Sequence, residues 1–184
     1  MIPIQECTLR ERHQQMRNGA QLEVVTIRPT VSEDADGIAR TFLESAEHHS
    51  GLDSELYFVP TFETIASRYR EGRQHPYDAS FESASLVAEV SGEIVGFIDA
   101  RLFQSSDAMH RDILFCHVAE IAVSGRHQSK GIGGLLLQAA EEWGRQHGAG
   151  FALLEYHSAN ARAGEFYRRR MGYRETSITA IKKL

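Results

Sequence analysis

Residues 119–147 constrain the fold more tightly than any other part of the chain. Ala119-Glu120-Ile121-Ala122-Val123 is an apolar, partly β-branched run interrupted by one acid. Ser124-Gly125-Arg126-His127 follows as a polar turn, then Gln128-Ser129-Lys130-Gly131-Ile132-Gly133-Gly134. Beyond it, Leu135, Leu136, Ala139, Ala140 and Trp143 recur at helical spacing. The order is strand, glycine-rich turn, helix. The first N–H groups of a helix have no intrahelical partner, and the helix dipole adds partial positive charge beside them. Gly131 and Gly133 remove side chains at that point, and Arg126 and Lys130 bring cationic charge. Residues 128–133 therefore read as an anion cradle suited to a pyrophosphate.

Two common phosphate motifs do not fit. A P-loop needs Gly-Lys followed by Ser or Thr, whereas here Lys130 precedes Gly131. A dinucleotide fingerprint needs G-x-G-x-x-G early in a βαβ unit, and the third glycine is missing. The pattern that fits is Q/R-x-x-G-x-G/A, met by Gln128, Gly131 and Gly133. A second segment, Asn160-Ala161-Arg162-Ala163-Gly164-Glu165-Phe166-Tyr167, matches N-x-x-A-x-x-F-Y, and Met171-Gly172-Tyr173 supplies an apolar-Gly-aromatic end. In that order and at that separation, the motifs resemble the GNAT superfamily of acetyl-CoA-dependent N-acetyltransferases, over residues 24–184.

With 184 residues, 42% hydrophobic and 24% charged, the chain suits one soluble domain. Its net charge of −5 argues against a general nucleic-acid binder. No apolar run reaches membrane-spanning length, and the N-terminus lacks a signal-peptide plan. Cys7 and Cys116 suggest no disulfide framework, and the nine histidines form no metal-ligand spacing, so a cytoplasmic, metal-free protein is expected.

Residues 1–22 are polar and charge-rich, and read as an N-terminal extension, a loose arm or a short exposed helix, ahead of a domain over 23–184. A strand ending at Pro29 follows, then a helix with Ser32 as N-cap, then a turn-rich loop holding His48 and His49. A second helix spans 62–70 and Gly72 ends it. A hairpin turns at Ser91-Gly92, and a long strand is expected over 112–123. After the glycine turn and its helix, 151–156 reads as a strand buried on both faces. A helix over 160–170 and one or two strands within 173–182 complete the chain. The expectation is an α/β fold: a mixed, mostly antiparallel sheet with helices on both faces. The resemblance implies the acyl-CoA N-acyltransferase version of it, with a splayed central parallel pair.

Acetyl transfer from a thioester to an amine needs a proton acceptor for the amine, donors for the carbonyl oxygen and an acid for the departing thiolate. The resemblance implies direct attack without an acyl-enzyme. It places Tyr167 as the acid and Asn160 against the pantetheine or phosphate region of acetyl-CoA. Backbone groups of Ile121, Ala122 and Val123 would pair with pantetheine, and N–H groups of Gln128, Ser129, Lys130, Gly131, Ile132 and Gly133 would hold the phosphates. Glu120 and Glu155 compete for the base, with a water chain as a third option. Glu120 is preferred because the central strand borders both substrates. Either glutamate could instead face solvent or pair with an arginine such as Arg162. His49, Tyr57 and Phe58 are expected near the acceptor, and His117 could shuttle protons. The acceptor is a small-molecule or protein amine, dimers being frequent among relatives. A non-catalytic acyl-CoA-binding regulatory module is the rival reading, and a nucleotide-binding enzyme a third.

Overall fold

The structure is a computed structural model that describes residues 12–18, 21–72, 82–105 and 111–183. Its six strands lie in the order β1-β2-β3-β4-β5-β6. They are β1 (Arg12–Asn18), β2 (Gln21–Pro29), β3 (Ser83–Val90), β4 (Glu93–Gln104), β5 (Leu114–Val123) and β6 (Phe151–Leu154). The helices are α1 (Ala35–Leu52), α2 (Phe62–Arg70), α3 (Ile132–Gln146) and α4 (Ala161–Glu165), the last continued by one π-helical turn, Phe166–Arg170. Neighbouring strands run antiparallel except β5 and β6, which are parallel. The mixed α/β sheet is thus the one expected.

Helices cover both faces. On one, α3 packs Leu136, Leu137, Ala140 and Trp143 onto Leu86, Ile98, Cys116 and Val118. On the other, α1 and α2 pack Ile38, Ile65, Ala66 and Tyr69 onto Val87, Phe97 and Ala122. Alternation along β3, β4 and β5 supplies both sets, because successive side chains point to opposite faces. The approach of α3 is close: a Cβ at Gly144 would stand 2.4 Å from Cys116 Cβ. The β3–β4 hairpin turns through Ser91 (φ 51°) and Gly92 (φ 81°), the two positive φ values of a type I′ turn.

The sequence reading needs correction at several points. Arg12–Asn18 is neither loose arm nor helix but a strand paired with β2 in continuous register. The remaining positions of the expected extension, 1–11 and 19–20, and Cys7 among them, lie outside the described residues. Ser32 does not cap α1. It opens a short 3-10 turn, Ser32–Asp34, whose Asp34 carboxylate accepts from Val31 N–H (2.9 Å) and pairs with Arg28 (2.7 Å). His48 and His49 lie in the last turns of α1, not in a loop, since the helix runs through Gly51 to Leu52. One glycine costs a helix only about 1 kcal/mol, which the packing of α1 offsets. β6 is not buried on both faces: it is the last strand in the sheet order and Phe151 is 54% exposed. Residues 173–183 form no strand.

Candidate active site

The middle of the sheet changes character at one residue. β4 and β5 pair Asp99 with Glu120 and Ala100 with Val118, so Ala119 is the extra residue of a β-bulge. The bulge resets the phase of β5. Val118 therefore lies against α3, while Glu120 lies with Ala122 on the α1/α2 face. Strand alternation alone could not have fixed this orientation.

Glu120 meets α2. Arg68 Nη2 stands 3.7 Å from its Oε1, and Oε2 is buried without a hydrogen-bond partner. Arg162 is not its partner. Burial pushes the Glu120 carboxyl up to about 7, the negative charge of Asp99 adds to this, and Arg68 opposes it. Asp99 is 1% exposed and accepts from the Tyr69 hydroxyl at 2.5 Å. Its carboxyl rises to about 6 through burial, against the pull of Ser85, Tyr69 and Arg68. Burial and the two acids hold the Tyr69 hydroxyl far above the usual phenol range, so it stays a donor. Glu155 differs: it is exposed, just past β6, and its charge favours protonation of His117, which burial and Arg101 otherwise lower.

Beyond the bulge β5 and β6 part. Their pairing covers Phe115 to Val118 against Phe151 to Leu154 and ends there, while β5 runs on to Val123. The backbone of Ile121, Ala122 and Val123 thus lies past the last β6 partner. The turn after Val123 is anchored from two sides. Gly125 N–H donates to Glu44 of α1 (2.6 Å), and Gln128 Nε2 donates to the Val123 carbonyl (3.0 Å). Arg162 of α4 closes the ring, donating to Gln128 Oε1 (2.7 Å) and Ser129 Oγ (3.0 Å). Lys130 stands 3.8 Å from Glu23 of β2.

Gly131 is the N-cap of α3 at φ 85°, a backbone region that strains side-chain-bearing residues, and Ser129 (φ 62°) shares its sign. The helix's own bonding begins with the Gly134 and Leu135 N–H groups, both donating to Gly131 O (3.0 and 3.2 Å). The N–H groups of Ile132 and Gly133 precede it, at the positive end of the dipole.

Tyr167 is the second residue of the π-helical turn, ringed by Tyr156 (5.5 Å), Phe166 (5.2 Å) and Tyr173 (6.0 Å). Burial, with a contribution from Tyr156, pushes its hydroxyl up to about 12, so it is protonated at neutral pH. Asn160 caps α4, its Oδ1 accepting from Ala163 N–H (3.1 Å), which leaves Nδ2 as the donor that could meet a ligand. His49, Tyr57 and His157 line up ring to ring at 5.4 and 5.9 Å, with Asp53 3.9 Å from His157. Phe58 is apart from that row and 78% exposed. Among the described residues, no three His, Cys, Asp or Glu side chains converge as a metal site would require.

Sequence reasoning missed Arg68, Tyr69, Asp99 and His157 as members of the site. Only Asp99 carried a signal, as one acid inside the apolar run Ile94 to Ala100.

Strand bulge, parted parallel pair and glycine-capped α3 together define an acyl-CoA N-acyltransferase fold. The chain belongs to the acetyltransferase (GNAT) family, whose profile matches residues 52–173. An N-alpha-acetyltransferase of Sulfurisphaera tokodaii is 32% identical over 102 residues, covering 53% of this chain and 60% of that protein's length. A variant of the BH1408 protein of Bacillus halodurans has the same fold, with a TM-score of 0.75 at 21% identity, covering 86% of this chain and 98% of its own. The aminoglycoside N-acetyltransferase AAC(6')-Iy, solved with a CoA-containing bisubstrate analogue, aligns with a TM-score of 0.61 at 18% identity over 87% and 97% of the two chains. No helix among the described residues is long and apolar enough to cross a membrane.

Proposed function

We propose that the protein transfers an acetyl group from acetyl-CoA to a primary amine by direct attack. The observation that carries this reading is the half-buried Glu120, raised to about 7, on the strand that leads straight into the Gly131 helix start. A general base works best when its proton affinity is near the ambient pH, and Glu120 meets that condition.

The residues fit the cofactor. The turn at 128–133 offers backbone N–H groups at a helix start, where a pyrophosphate binds best. Ile121, Ala122 and Val123 offer main-chain groups to the pantetheine arm, as an added strand would take them. Asn160 Nδ2 is a further donor. Acetyl-CoA supplies an activated acetyl thioester. Glu120 accepts the proton released as the amine nitrogen forms its bond to the acetyl carbon. Tyr167, protonated at neutral pH, donates to the sulfur as the C–S bond breaks. Glu155, exposed and beside His117, is the less suited of the two acids.

The acceptor is an amine that reaches the α1/α2 side of β5, where His49, Tyr57 and His157 form a row with Asp53 at its edge. AAC(6')-Iy carries an aminoglycoside-derived group in its bisubstrate complex. A small polyamine-like or aminoglycoside-like molecule, or a protein amine, suits the acidic edge of this row. The test is thiol release from acetyl-CoA across a panel of such amines. Amine-dependent release that Glu120→Gln lowers about a hundredfold supports the reading. CoA binding with no release for any amine favours a non-catalytic acyl-CoA-binding module.

A further inference from the structure

Two acids, Asp99 buried and Glu120 half-buried, stand opposite one another at the centre of the sheet, and the reaction as outlined uses only one. Asp99 and Glu120 are cross-strand partners in register on the α1/α2 face. Each keeps one carboxylate oxygen, Asp99 Oδ1 and Glu120 Oε2, out of solvent and without a hydrogen-bond donor. The other oxygens are occupied. Tyr69 of α2 donates to Asp99 Oδ2 at 2.5 Å, and Arg68 of the same helix pairs with Glu120 Oε1 at 3.7 Å. Ser85 of β3, in register with Asp99, places its hydroxyl on this side, 2.9 Å from Thr30 Oγ1, and helps the Asp99 charge without reaching Oδ1 in hydrogen-bond geometry. Further along the same strands, Arg101 Nε donates to His117 Nδ1 at 3.2 Å.

A buried carboxylate oxygen without a donor costs free energy. Two in one place cost more, because adjacent like charges resist joint ionisation. A proton taken up between them relieves both penalties at once, turning one orphan acceptor into a donor for the other. Arg68 supplies one positive charge to the pair, and Tyr69 supplies a neutral donor to Asp99 alone.

We propose that Asp99 is a positioning residue for Glu120: the two carboxylates hold a single proton between them, and this sharing makes Glu120 a strong enough base for an amine. The proposal rests on Glu120 being the base but is tested without turnover. Coupled sites of this kind lose their protons in two steps that belong to the pair. Burial of both carboxyls, and for Glu120 also the charge of Asp99, set the upper step near 7.

The experiment is a carbon-13 NMR titration of protein labelled at Asp and Glu side-chain carboxyls, with no CoA or amine present. Asp99→Asn and Glu120→Gln assign the two signals. In the wild-type protein the signals move together in two steps. In Asp99→Asn the Glu120 signal shows one step, displaced to lower pH by about one unit. Glu120→Gln displaces the Asp99 step in the same direction, and it reads the coupling even where Asp99→Asn fails to fold, since Glu120 sits nearer solvent. The acid limb of kcat/KM in Asp99→Asn moves down with the Glu120 step, which a merely structural role for Asp99 would not cause. Absence of thiol release would remove the catalytic reading and leave the titration intact. Independent single steps in the wild-type protein, or a Glu120 midpoint unmoved by Asp99→Asn, would overturn the shared proton.

Discussion

The two faces of the β4–β5 pair bury very different things. Towards α3 lie Ile98, Val118, Leu136 and Leu137, an apolar layer whose stability comes from area and fit. Towards α2 lie Asp99, Glu120, Arg68 and Tyr69, charged or polar groups set into a wall of Phe97, Ile65 and Ala66. The sheet is one structure, yet one side is an apolar core and the other is a core with titratable groups set into it. The bulge at Ala119 separates them, because without its extra residue Glu120 would point into the α3 layer. Burying such groups costs stability at the pH where they ionise, and a face without charges carries no such cost.

The contrast can be broken by mutation. Leu136→Ala on the α3 face should cost about 3 kcal/mol in denaturant melts, equally at pH 5 and pH 8, since the loss is transfer and cavity energy. Glu120→Gln on the other face should lower kcat/KM about a hundredfold while leaving CoA affinity within about twofold. Weakened CoA binding in that variant would mean that the catalytic and cofactor regions are not separable. Gly131→Val strains the αL cap of α3 and fills its mouth, so the Kd for CoA in calorimetry should rise about thirtyfold with little change in kcat at saturation.

Asp99→Asn sharpens the comparison through pH. Burial raises the Asp99 carboxyl from an ordinary 3.8 to about 6, so the folded acid pair binds more protons in that window. Its contribution to stability is complete below the lower value and is lost as pH rises through the upper one. The Asn variant lacks that loss. Its stability relative to wild type should therefore improve by on the order of 2 kcal/mol between pH 4 and pH 8, read from melts at each pH. A flat difference would place Asp99 among merely structural polar groups. Tyr167→Phe is the smallest effect, a fall in kcat of about tenfold with the KM for acetyl-CoA unchanged.

Part of the local structure around the candidate site was readable in the sequence. The glycine turn was legible because Gly131 and Gly133 stand where β periodicity gives way to helical periodicity. Gly72, read as the end of the second helix, lies just past α2 at φ 68°. Asn160 and Tyr167 were singled out through the resemblance that the motif at 160–167 carries. The acid cluster was not, because it is assembled from α2, β3, β4 and β5, and no local pattern reports that Tyr69 meets Asp99 thirty residues away. Asp99 stood out as an acid in an apolar strand, yet its partner could not be named. The ends of the chain were misread for a different reason. Residues 12–18 are polar, so their strand comes from pairing with β2, a tertiary effect that intrinsic propensity does not register. At the other end, the apolar residues within 173–182 suggested strands, but Ile178 and Ile181 are 96% and 68% exposed.

The central claim is that the start of α3 and the parted strands beside it receive acetyl-CoA, bringing its thioester within reach of the acids on the α2 face. Isothermal titration of the purified protein with CoA tests it most directly. The account predicts saturable binding of one CoA per chain, with affinity reduced by Gly131→Val and retained in Glu120→Gln. Absence of binding at millimolar CoA, or binding that Gly131→Val leaves untouched, would contradict it.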